Sequence, residues 1–425
     1  MKSLKLFLVL LVIFASGICF LTVSDAVAER PIVLGCPLST AFLYGWDAER
    51  GIRLAVEEIN AAGGVNVGGE RRPFKVEVMD TRDLEPGVPV SEALLVVEKL
   101  ILEKKADFIM GGPVRSEAAL AAMDLLSKHK KVSIVTTGVL TPKYHARVGK
   151  NYDKYKYCFR ITGEAKWMVG GEIIPCLLAI GRKFNLNRLF IMIQDVAHAR
   201  AGGKIIAKIM AKKGWDVLDQ EIYPTGTSDF SMGLLKARRK KAQVILIWMD
   251  MPQTSILLKQ WYDLKIPALP FGSIISAAEQ PGFWKATEGK GEYCLANVVN
   301  AGNAPCEATA WTMKFVNAYK KRWGIEPEGY GTSSSYMAPY VLKAAIERAG
   351  SLDPNAVIKA LEQTDMMGVY GRIRFDPKNH QVIPSLDPKE GAVGTIFQWQ
   401  AGKRVVVFPK SIAMGEIKLP PWMTK

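Results

Sequence analysis

The strongest constraint on the fold of this chain is a regular alternation of short apolar runs with amphipathic stretches, which begins at Ile32. Buried parallel strands read as continuous apolar runs, and the helices that connect them carry an apolar stripe on one face. Before Tyr157 the apolar runs are IVLGCPL, FKVEVMD, DFIMGG and VSIVTTG. We therefore predict an α/β fold in which βαβ units surround a parallel sheet.

The first predicted helix, residues 46–61, shows the helical periodicity clearly. Four of its apolar residues fall on one face: Ile52, Ala55, Val56 and Ile59. We expect the helix to stop before Gly63 and Gly64, because glycine readily adopts the left-handed conformation that ends helices.

The same rhythm restarts after Tyr157, with the strands LFIMIQD, WDVLDQEIY, VILIWMD and LPFGSI separated by further helices. Two consecutive sets of the same unit predict two similar, Rossmann-like lobes. A mainly helical region follows over residues 308–360, with Asp353 as N-cap and Pro354 at the first helical position. The segment GRIRFD comes next, and the pair Ala401 and Gly402 predicts a hairpin turn within IFQWQAGKRVVVFP.

The N-terminal residues have the features of a secretory signal peptide. Lys2 and Lys5 precede an apolar stretch over residues 6–20, and the small residues 26–28 (AVA) supply a cleavage site. A membrane-spanning helix needs about twenty apolar residues, so this stretch is short for an anchor. Residues 33–36 (VLGC) resemble a lipoprotein cleavage box, but we interpret them as the first strand. We expect residues 1–28 to be removed and the mature chain to be periplasmic or otherwise extracytoplasmic.

Five cysteines remain once Cys19 of the leader is removed: Cys36, Cys158, Cys176, Cys294 and Cys306. Because five is an odd number, at least one thiol must stay free or pair between molecules. The spacings match neither a zinc site nor a CxxC redox site. We interpret these residues as buried small hydrophobes, with or without one disulfide bridge.

The formal net charge of the chain is +15. A strongly basic protein can bind nucleic acid, anionic lipid or acidic solutes, and export argues against nucleic acid. The densest basic run, KARRKK at residues 236–241, is predicted to lie at a helix C-terminus, where cations are favoured. We interpret it as a solvated helix end rather than a binding patch.

A parallel sheet places its ligand-binding loops at the C-terminal ends of its strands, where helix N-termini also present free amide groups. With two such lobes, the predicted site is the cleft between the two sheet edges. The loops expected to line it are residues 111–116, 136–141, 195–200, 248–251 and 272–276.

Four sequence landmarks, in order, resemble the type I periplasmic binding proteins that bind leucine, isoleucine and valine. They are LAVEEINAAGGV, FIMGGPVRSEAALAA, VTTGVLTP, and RFDPKNH followed by FQWQAGK, and the similarity covers nearly the whole mature chain. The resemblance implies two lobes with parallel central sheets, joined by a three-crossing hinge that closes on the ligand. Lobe 1 is expected to hold residues 29–160 and 300–388, and lobe 2 residues 161–299 and 389–425.

The resemblance also implies how a ligand is bound: hydroxyl groups and backbone amides of lobe 1 hold a carboxylate, and an acidic side chain of lobe 2 meets the amino group. Carried over, the candidate residues are Tyr44, Arg115, Ser116, Gly138, Val139 and Leu140 from lobe 1, and His198, Ala199, Trp248, Asp250 and Ser273 from lobe 2. The acidic residue expected near Ile274 is absent. Asp250 either replaces it or caps the next helix, and the sequence leaves both interpretations open.

Arg115 falls where amino-acid binders of this family offer a small hydroxyl residue. We expect its guanidinium, whose fork suits a carboxylate, to hold an anionic group of the ligand. In the alternative, Arg115 turns to solvent and Ser116 alone faces the cleft. Trp248 and Tyr44 would line an apolar wall, which keeps aromatic acids and larger amino acids among the candidate ligands.

The sequence contains no HExxH, no Walker phosphate loop and no GxSxG elbow, so it predicts no enzyme, no cofactor and no metal site. The predicted function is that of the substrate-binding component of an ABC importer, which binds an amino acid or a related carboxylate or amide. Its expected partners are this small molecule and a membrane permease, without nucleic acid, and we expect a monomer. The alternative is a sensory protein that uses the same clamp to report a solute to a membrane receptor.

Overall fold

The computed structural model describes residues 30–329 and 331–423. The predicted signal peptide, residues 1–28, lies outside this part of the chain. The first elements in chain order are β1 (Ile32–Leu38), α1 (Leu43–Ala61), β2 (Val65–Val67), β3 (Glu70–Arg72), β4 (Phe74–Asp80), α2 (Val90–Leu102), β5 (Phe108–Gly111), α3 (Ser116–Lys128), β6 (Ser133–Val135), α4 (Lys143–Lys150), α5 (Tyr152–Tyr155) and β7 (Cys158–Arg160).

The middle of the chain continues with α6 (Ala165–Trp167), a π-helical turn (Met168–Ile173), α7 (Ile174–Phe184), β8 (Arg188–Gln194), α8 (Ala197–Lys212), β9 (Asp216–Tyr223), α9 (Ser231–Arg239), β10 (Val244–Met249), α10 (Thr254–Asp263), β11 (Leu269–Ile275), α11 (Ser276–Glu279), α12 (Phe283–Ala286) and β12 (Leu295–Val298). The last elements are α13 (Thr312–Trp323), α14 (Thr332–Ala349), α15 (Pro354–Glu362), β13 (Met366–Gly368), β14 (Gly371–Ile373), β15 (Thr395–Gln400) and β16 (Lys403–Phe408).

Two central sheets organise these elements into two lobes. The first sheet has five parallel strands in the order β4-β1-β5-β6-β7. The second has the order β16-β15-β12-β11-β10-β8-β9, in which β8 to β12 are parallel to one another. The predicted parallel sheets are confirmed, with one addition: the C-terminal hairpin β15–β16 joins the edge of the second sheet antiparallel.

Helix α1 shows why glycine is needed at a close approach between helices. It begins at Leu43, three residues before the predicted start, and packs against α14. A Cβ atom on Gly51 would lie 2.6 Å from the carbonyl oxygen of Thr332, so only glycine allows this contact. At the other end, Gly63 and Gly64 have φ angles of +94° and +72°, which confirms the predicted stop.

Other local predictions are confirmed by specific contacts. The Asp353 carboxylate accepts hydrogen bonds from the backbone amides of Asn355 and Ala356, both at 3.0 Å, as an N-cap does. Ala401 and Gly402 connect β15 to β16 with φ angles of +48° and +78°. Within the segment GRIRFD, β14 forms a separate two-stranded sheet with β13.

The chain passes between the two lobes three times, at residues 161–163, 299–301 and 392–394. Thr162 Oγ1 donates to Asn300 Oδ1 at 2.7 Å, which joins the first passage to the second. The amide of Ala301 donates to the carbonyl of Val393 at 2.8 Å, which joins the second to the third. The lobe boundaries given above stay a prediction; the strands of the first sheet all lie within residues 32–160.

A buried carboxyl group lies beside these passages. Glu172, in the π-helical turn, accepts a hydrogen bond from Asn297 Nδ2 at 2.7 Å, and the same amide nitrogen lies 3.3 Å from the carbonyl oxygen of Thr395. A Cβ atom on Gly394 would lie 2.1 Å from the Glu172 carboxylate, so the carboxyl packs directly on the backbone. Burial raises the pKa of Glu172 to about 8.

All five mature cysteines are buried and free: Cys36, Cys158, Cys176, Cys294 and Cys306. The interpretation as buried hydrophobes is confirmed, and no disulfide joins them. Cys36 lies in β1, so residues 33–36 are the first strand, as expected.

The basic run at residues 236–241 lies at the C-terminal end of α9, as predicted. Lys236 Nζ lies 2.9 Å from the Asp219 carboxylate, and Lys240 Nζ lies 3.2 Å from it. Part of the charge of this run is therefore neutralised on the neighbouring strand β9. Among residues 30–329 and 331–423, no helix combines the length and the apolar character that a membrane span requires.

Candidate ligand-binding cleft

Charged groups near the C-terminal edges of the two sheets lie close enough to influence one another. Burial raises the pKa of Glu279 in the second lobe well above its usual range, and the carboxyl of Asp47, on α1 of the first lobe, raises it further. The carboxylate of Glu117, on α3 of the first lobe, contributes to raising the pKa of His198. The candidate cleft therefore lies between these edges.

Asp83 holds the loop that leads into α3. This buried carboxylate accepts a hydrogen bond from the backbone amide of Arg115 at 2.7 Å and another from Thr81 Oγ1 at 2.7 Å. It thereby joins the ends of β4 and β5 at the edge of the first sheet. Sequence reasoning did not single out Asp83, although an acidic residue three positions after a strand is a common signal of a loop anchor.

The Arg115 side chain is engaged within the first lobe but keeps one polar group unused. Its Nη1 donates to the carbonyl of Val88 at 3.2 Å, and its Nε lies 4.0 Å from a carboxylate oxygen of Glu117. Nε is buried and has no hydrogen-bond partner among the described residues. Ser116 is the first residue of α3 and is half-buried. The pair Arg115 and Ser116 therefore lies at the N-terminus of α3, on the segment that follows β5.

The loop after β6 has an unusual backbone. Gly138 and Val139 both have positive φ angles, +63° and +49°. A Cβ atom on Gly138 would lie 2.1 Å from the carbonyl oxygen of Val114, and the amide of Val139 donates to that same carbonyl at 3.0 Å. The carbonyl of Val139 accepts from Arg160, and that of Leu140 accepts from the amide of Ala165 at 2.9 Å. This loop is thus held by many internal hydrogen bonds.

Tyr44 borders this loop through its backbone. Thr137 Oγ1 donates to the carbonyl of Tyr44 at 3.1 Å, so the start of α1 is tied to the loop after β6. The Tyr44 ring is buried and meets the ring of Phe42 edge to face at 5.3 Å.

In the second lobe, Gln194 organises the strand ends. Its Oε1 accepts from the amides of Asp250 and Met251 at 2.9 and 3.1 Å, which ties the ends of β8 and β10 together. The Asp250 carbonyl accepts a hydrogen bond from Ser276 Oγ at the end of β11. Three neighbouring strand ends are thereby fixed around Asp250.

Asp250 pairs with His198 rather than with a helix end. His198 Nε2 lies 2.7 Å from Asp250 Oδ2, and α10 begins at Thr254 without a side-chain cap. Burial opposes the charged imidazolium, but the Asp250 carboxylate outweighs it and raises the pKa of His198. Of the two interpretations of Asp250, the helix cap is wrong, and its carboxylate is already paired.

Trp248, Ala199 and Ser273 are buried in the second lobe. The Trp248 ring packs against α8, where a Cβ atom on Gly202 would lie only 1.9 Å from it, and its centroid is 6.3 Å from that of His198. Ala199 lies on α8, and the Oγ of Ser273, on β11, has no hydrogen-bond partner among the described residues. The structure thus brings His198, Trp248 and Asp250 together at one sheet edge.

The most informative residue that sequence reasoning missed is Glu279. It ends α11, is 2% exposed, and its Oε2 has no hydrogen-bond partner within the described part of the chain. Besides Asp47, the nearby Asp250 also raises its pKa. The acidic residue was expected near Ile274, and a single helical turn places one five residues later. No sequence signal marked that turn.

Arg404 links this region to the first lobe. Its Nη1 donates to the carbonyl oxygens of Glu279, Asn303 and Pro327, at 2.6, 3.1 and 3.0 Å. Asp47 is also buried, and its Oδ2 accepts from Thr332 Oγ1 at 2.7 Å. A buried polar network therefore continues from the second sheet to the helices of the first lobe. Within the described residues, no group of three or more acidic, histidine or cysteine side chains could hold a metal ion.

The comparison with known protein families agrees with this geometry. The family model described as "periplasmic binding protein" matches residues 36–402. The chain belongs to the periplasmic binding protein family. The resemblance inferred from the four landmarks is confirmed, and the family is one of extracytoplasmic solute-binding proteins rather than enzymes.

Relatives of this periplasmic binding protein have the same length and fold. Leu/Ile/Val-binding protein homolog 7 from Brucella abortus is 25% identical, and the similarity covers 96% of this chain and 99% of the relative. A crystal structure attributed to a branched-chain amino acid ABC transporter of Silicibacter pomeroyi has a TM-score of 0.80, with 20% identity, and covers 93% of this chain and 100% of its own. The LivJ substrate binding protein from Streptococcus pneumoniae, solved with isoleucine, has a TM-score of 0.70, with 20% identity and coverage of 92% and 100%.

Proposed function

We propose that this periplasmic binding protein is the substrate-binding component of an ABC importer, and that it captures an amino acid or a related carboxylate between its lobes. Two kinds of observation support the proposal: the relatives are Leu/Ile/Val-binding protein homologues, and the sheet edges carry groups suited to the two ends of an amino acid. The observation that carries it is the buried carboxyl of Glu279.

A buried carboxyl without a hydrogen-bond partner either holds a proton, as the raised pKa of Glu279 indicates for the free protein, or needs a compensating group, because an unpaired charge removed from water costs several kcal/mol. Glu279 Oε2 is such a group, and it lies in the second lobe within electrostatic reach of Asp47 in the first. An ammonium group of the ligand would supply both the hydrogen bonds and the compensating charge. We assign the amino end of the ligand to Glu279.

The carboxylate end of the ligand is assigned to the first lobe. Ser116 opens α3, whose N-terminus favours negative charge, and Arg115 Nε is the buried donor left without a partner among the described residues. Trp248 and Tyr44 then border the apolar part of the ligand. Since the two ends belong to different lobes, the ligand binds the closed form more tightly than the open form, and closure follows from binding.

Binding without conversion is the first test. We expect thermal stabilisation by at least one of L-leucine, L-isoleucine, L-valine or an aromatic acid, with the molecule recovered unchanged by mass spectrometry. Small-angle scattering at saturation should show a smaller radius of gyration, and uptake of the labelled molecule should fail in cells that lack the gene. Recovery of a chemically altered product would sink the proposal.

The variant Glu279→Gln separates ligand recognition from folding, since it keeps the shape and removes the charge. It should weaken amino acid binding at least tenfold while the unfolding temperature stays the same or rises. Glu57→Gln, at a surface carboxylate paired with Arg322, is the matched control and should bind as wild type does.

A further inference from the structure

Arg160 is a fully buried arginine that contacts three separate segments of the chain. It is the last residue of β7, immediately before the first passage between the lobes. Its Nη1 donates to the carbonyl of Val139 and, at 3.2 Å, to that of Thr141. Its Nε donates to Gln381 Oε1 at 2.6 Å, and its Nη2 to Glu164 Oε2 at 3.1 Å. All three nitrogen atoms of the guanidinium are therefore used.

The first of these segments, residues 138–141, is the loop after β6 that is predicted from the sequence to line the cleft. Its left-handed residue Val139 is not a glycine, and such a conformation is unfavourable for a β-branched residue unless the surroundings impose it. The Val139 amide is held by Val114 and its carbonyl by Arg160, so both peptide groups around this residue are fixed. The loop conformation therefore depends on the guanidinium.

The other two segments lie beside the first passage. Gln381 Nε2 donates to the carbonyl of Thr162, inside the first passage, at 2.9 Å. The backbone of Arg160 also pairs with this segment, since its amide donates to His380 and its carbonyl accepts from Val382. Glu164 stands at the start of α6, where the chain enters the second lobe.

We propose that Arg160 is a positioning residue that couples the loop at residues 138–141 to the hinge, so that the loop geometry and the lobe angle change together. The inference rests on the proposed function to the extent that this loop faces the ligand. The planar fork makes the coupling possible, because charge-assisted hydrogen bonds in three directions fix the loop carbonyls relative to Gln381 and Glu164. A ligand that shifts the loop would then bias lobe closure.

Hydrogen exchange on the ligand-free protein tests the coupling directly. In Arg160→Met, we expect exchange to rise at least tenfold in peptides covering residues 136–141 and 161–165, with β1 and β5 unchanged. Arg160→Lys keeps one charged donor without the fork, so it should restore part of the protection at residues 136–141 and none at 161–165. A merely structural role would raise exchange across the whole first sheet, and that result overturns the proposal.

Two further variants complete the test. Gln381→Met leaves Arg160 and the loop sequence intact and removes the acceptor for Arg160 together with the donor to Thr162, so it remains informative if Arg160→Met fails to fold. This variant should still raise hydrogen exchange at residues 136–141 about threefold. Exchange equal to that of wild type at these residues would refute the coupling. Arg147→Met is the matched control. Arg147 lies on α4, and its side chain also donates to a backbone carbonyl, that of Leu120, at 2.7 Å. It should leave exchange at residues 136–141 as in wild type.

Affinity for L-isoleucine distinguishes this inference from the proposed function. By calorimetry at a temperature where each variant is folded, Arg160→Met should bind at least tenfold more weakly than wild type, and Arg147→Met within twofold. An affinity unchanged in Arg160→Met would overturn the positioning role. Failure of the wild type to bind any amino acid would count against the proposed function, and the exchange comparison would still decide the coupling.

Discussion

At the scale of single residues, the cleft is defined by polar groups whose partners are incomplete. Arg115 and Glu279 lie on opposite lobes, and each has one buried polar atom without a hydrogen-bond partner in the described part of the chain. The internal groups around them, such as Asp83 and Gln194, are fully engaged in holding loops. We propose that the unpaired atoms of Arg115 and Glu279 face the ligand, whereas Asp83 and Gln194 support the loops around them.

Arg115→Ala tests the carboxylate end of this arrangement. A hydrogen bond to a charged group contributes roughly 1.5–3 kcal/mol, so the variant should weaken binding of a carboxylate ligand by about tenfold to a hundredfold. Calorimetry measures the affinity of the variant and of wild type for the same carboxylate ligand. Arg82→Ala is the control, because Arg82 is an exposed arginine of the neighbouring loop that pairs with Glu85. If Arg115→Ala binds within twofold of wild type, Ser116 alone serves the carboxylate.

At the scale of elements, helix α8 and strand β10 meet at a contact that admits no side chain on the helix. A Cβ atom on Gly202 would overlap the Trp248 ring, whereas one on the neighbouring Gly203 would lie 3.2 Å from Gln220 Oε1, the end of a flexible side chain, and 3.4 Å from Ile193. Two adjacent glycines on one helix therefore have different roles, and the ring position of Trp248 depends on only one of them.

Gly202→Ala and Gly203→Ala form a matched pair. A methyl group at Gly202 must displace Trp248 or the helix, which costs about 1–3 kcal/mol in a packed core. The same change at Gly203 should be neutral or slightly stabilising, because alanine is favoured over glycine inside helices by up to about 1 kcal/mol. Urea unfolding measures both, and equal stabilities would contradict this assignment. Tryptophan fluorescence should shift only in Gly202→Ala.

At the scale of the whole molecule, the three passages between the lobes are joined by hydrogen bonds and by one buried acid. Glu172 contacts Asn297 next to the second passage and the backbone at Gly394 in the third. No cation compensates it, since the groups that affect its pKa besides burial are neutral. The hinge therefore contains a carboxyl that is protonated in the folded protein at neutral pH.

This raised pKa predicts how stability depends on pH. The folded protein binds a proton up to pH about 8, while a free glutamate releases it near pH 4.5, so the favourable contribution is complete at low pH and is lost as pH rises through 8. Glu172→Gln removes the dependence. The stability of the variant relative to wild type should rise with pH by at most about 1.4 kcal/mol per unit between pH 5 and 8. A pH-independent difference by urea unfolding would refute the assignment.

The sequence predicted the elements well and the polar contacts poorly, for a physical reason. Apolar periodicity reports which face of a segment is buried, so the strands of both sheets and the cap at Asp353 could be predicted. The positions of Glu279 and Arg160 depend on contacts between segments more than a hundred residues apart, such as those of Arg404 and Gln381. Local patterns carry no information about such distances.

For the predicted site, too, the sequence indicated which elements carry the residues but not which polar contacts they make. His198, Trp248 and Asp250 were expected on neighbouring loops and do lie together, because parallel strands end at one edge. The pairing of Asp250 with His198 could not be predicted, since it depends on the side-chain directions of α8 and β10. Glu279 was missed because its short helical turn has no periodicity to detect.

The buried thiols described above make the protein a convenient subject for labelling. Burial raises the pKa of Cys158 to about 12 and that of Cys306 to about 11, and the thiolate is the form that reacts with maleimides and iodoacetamide. A cysteine introduced on the surface would therefore take up a dye selectively, without removal of any natural one. The native thiols would react only after local opening. The labelling rates of Cys158, in the first sheet, and Cys294, next to the second, would therefore report the opening of each lobe separately.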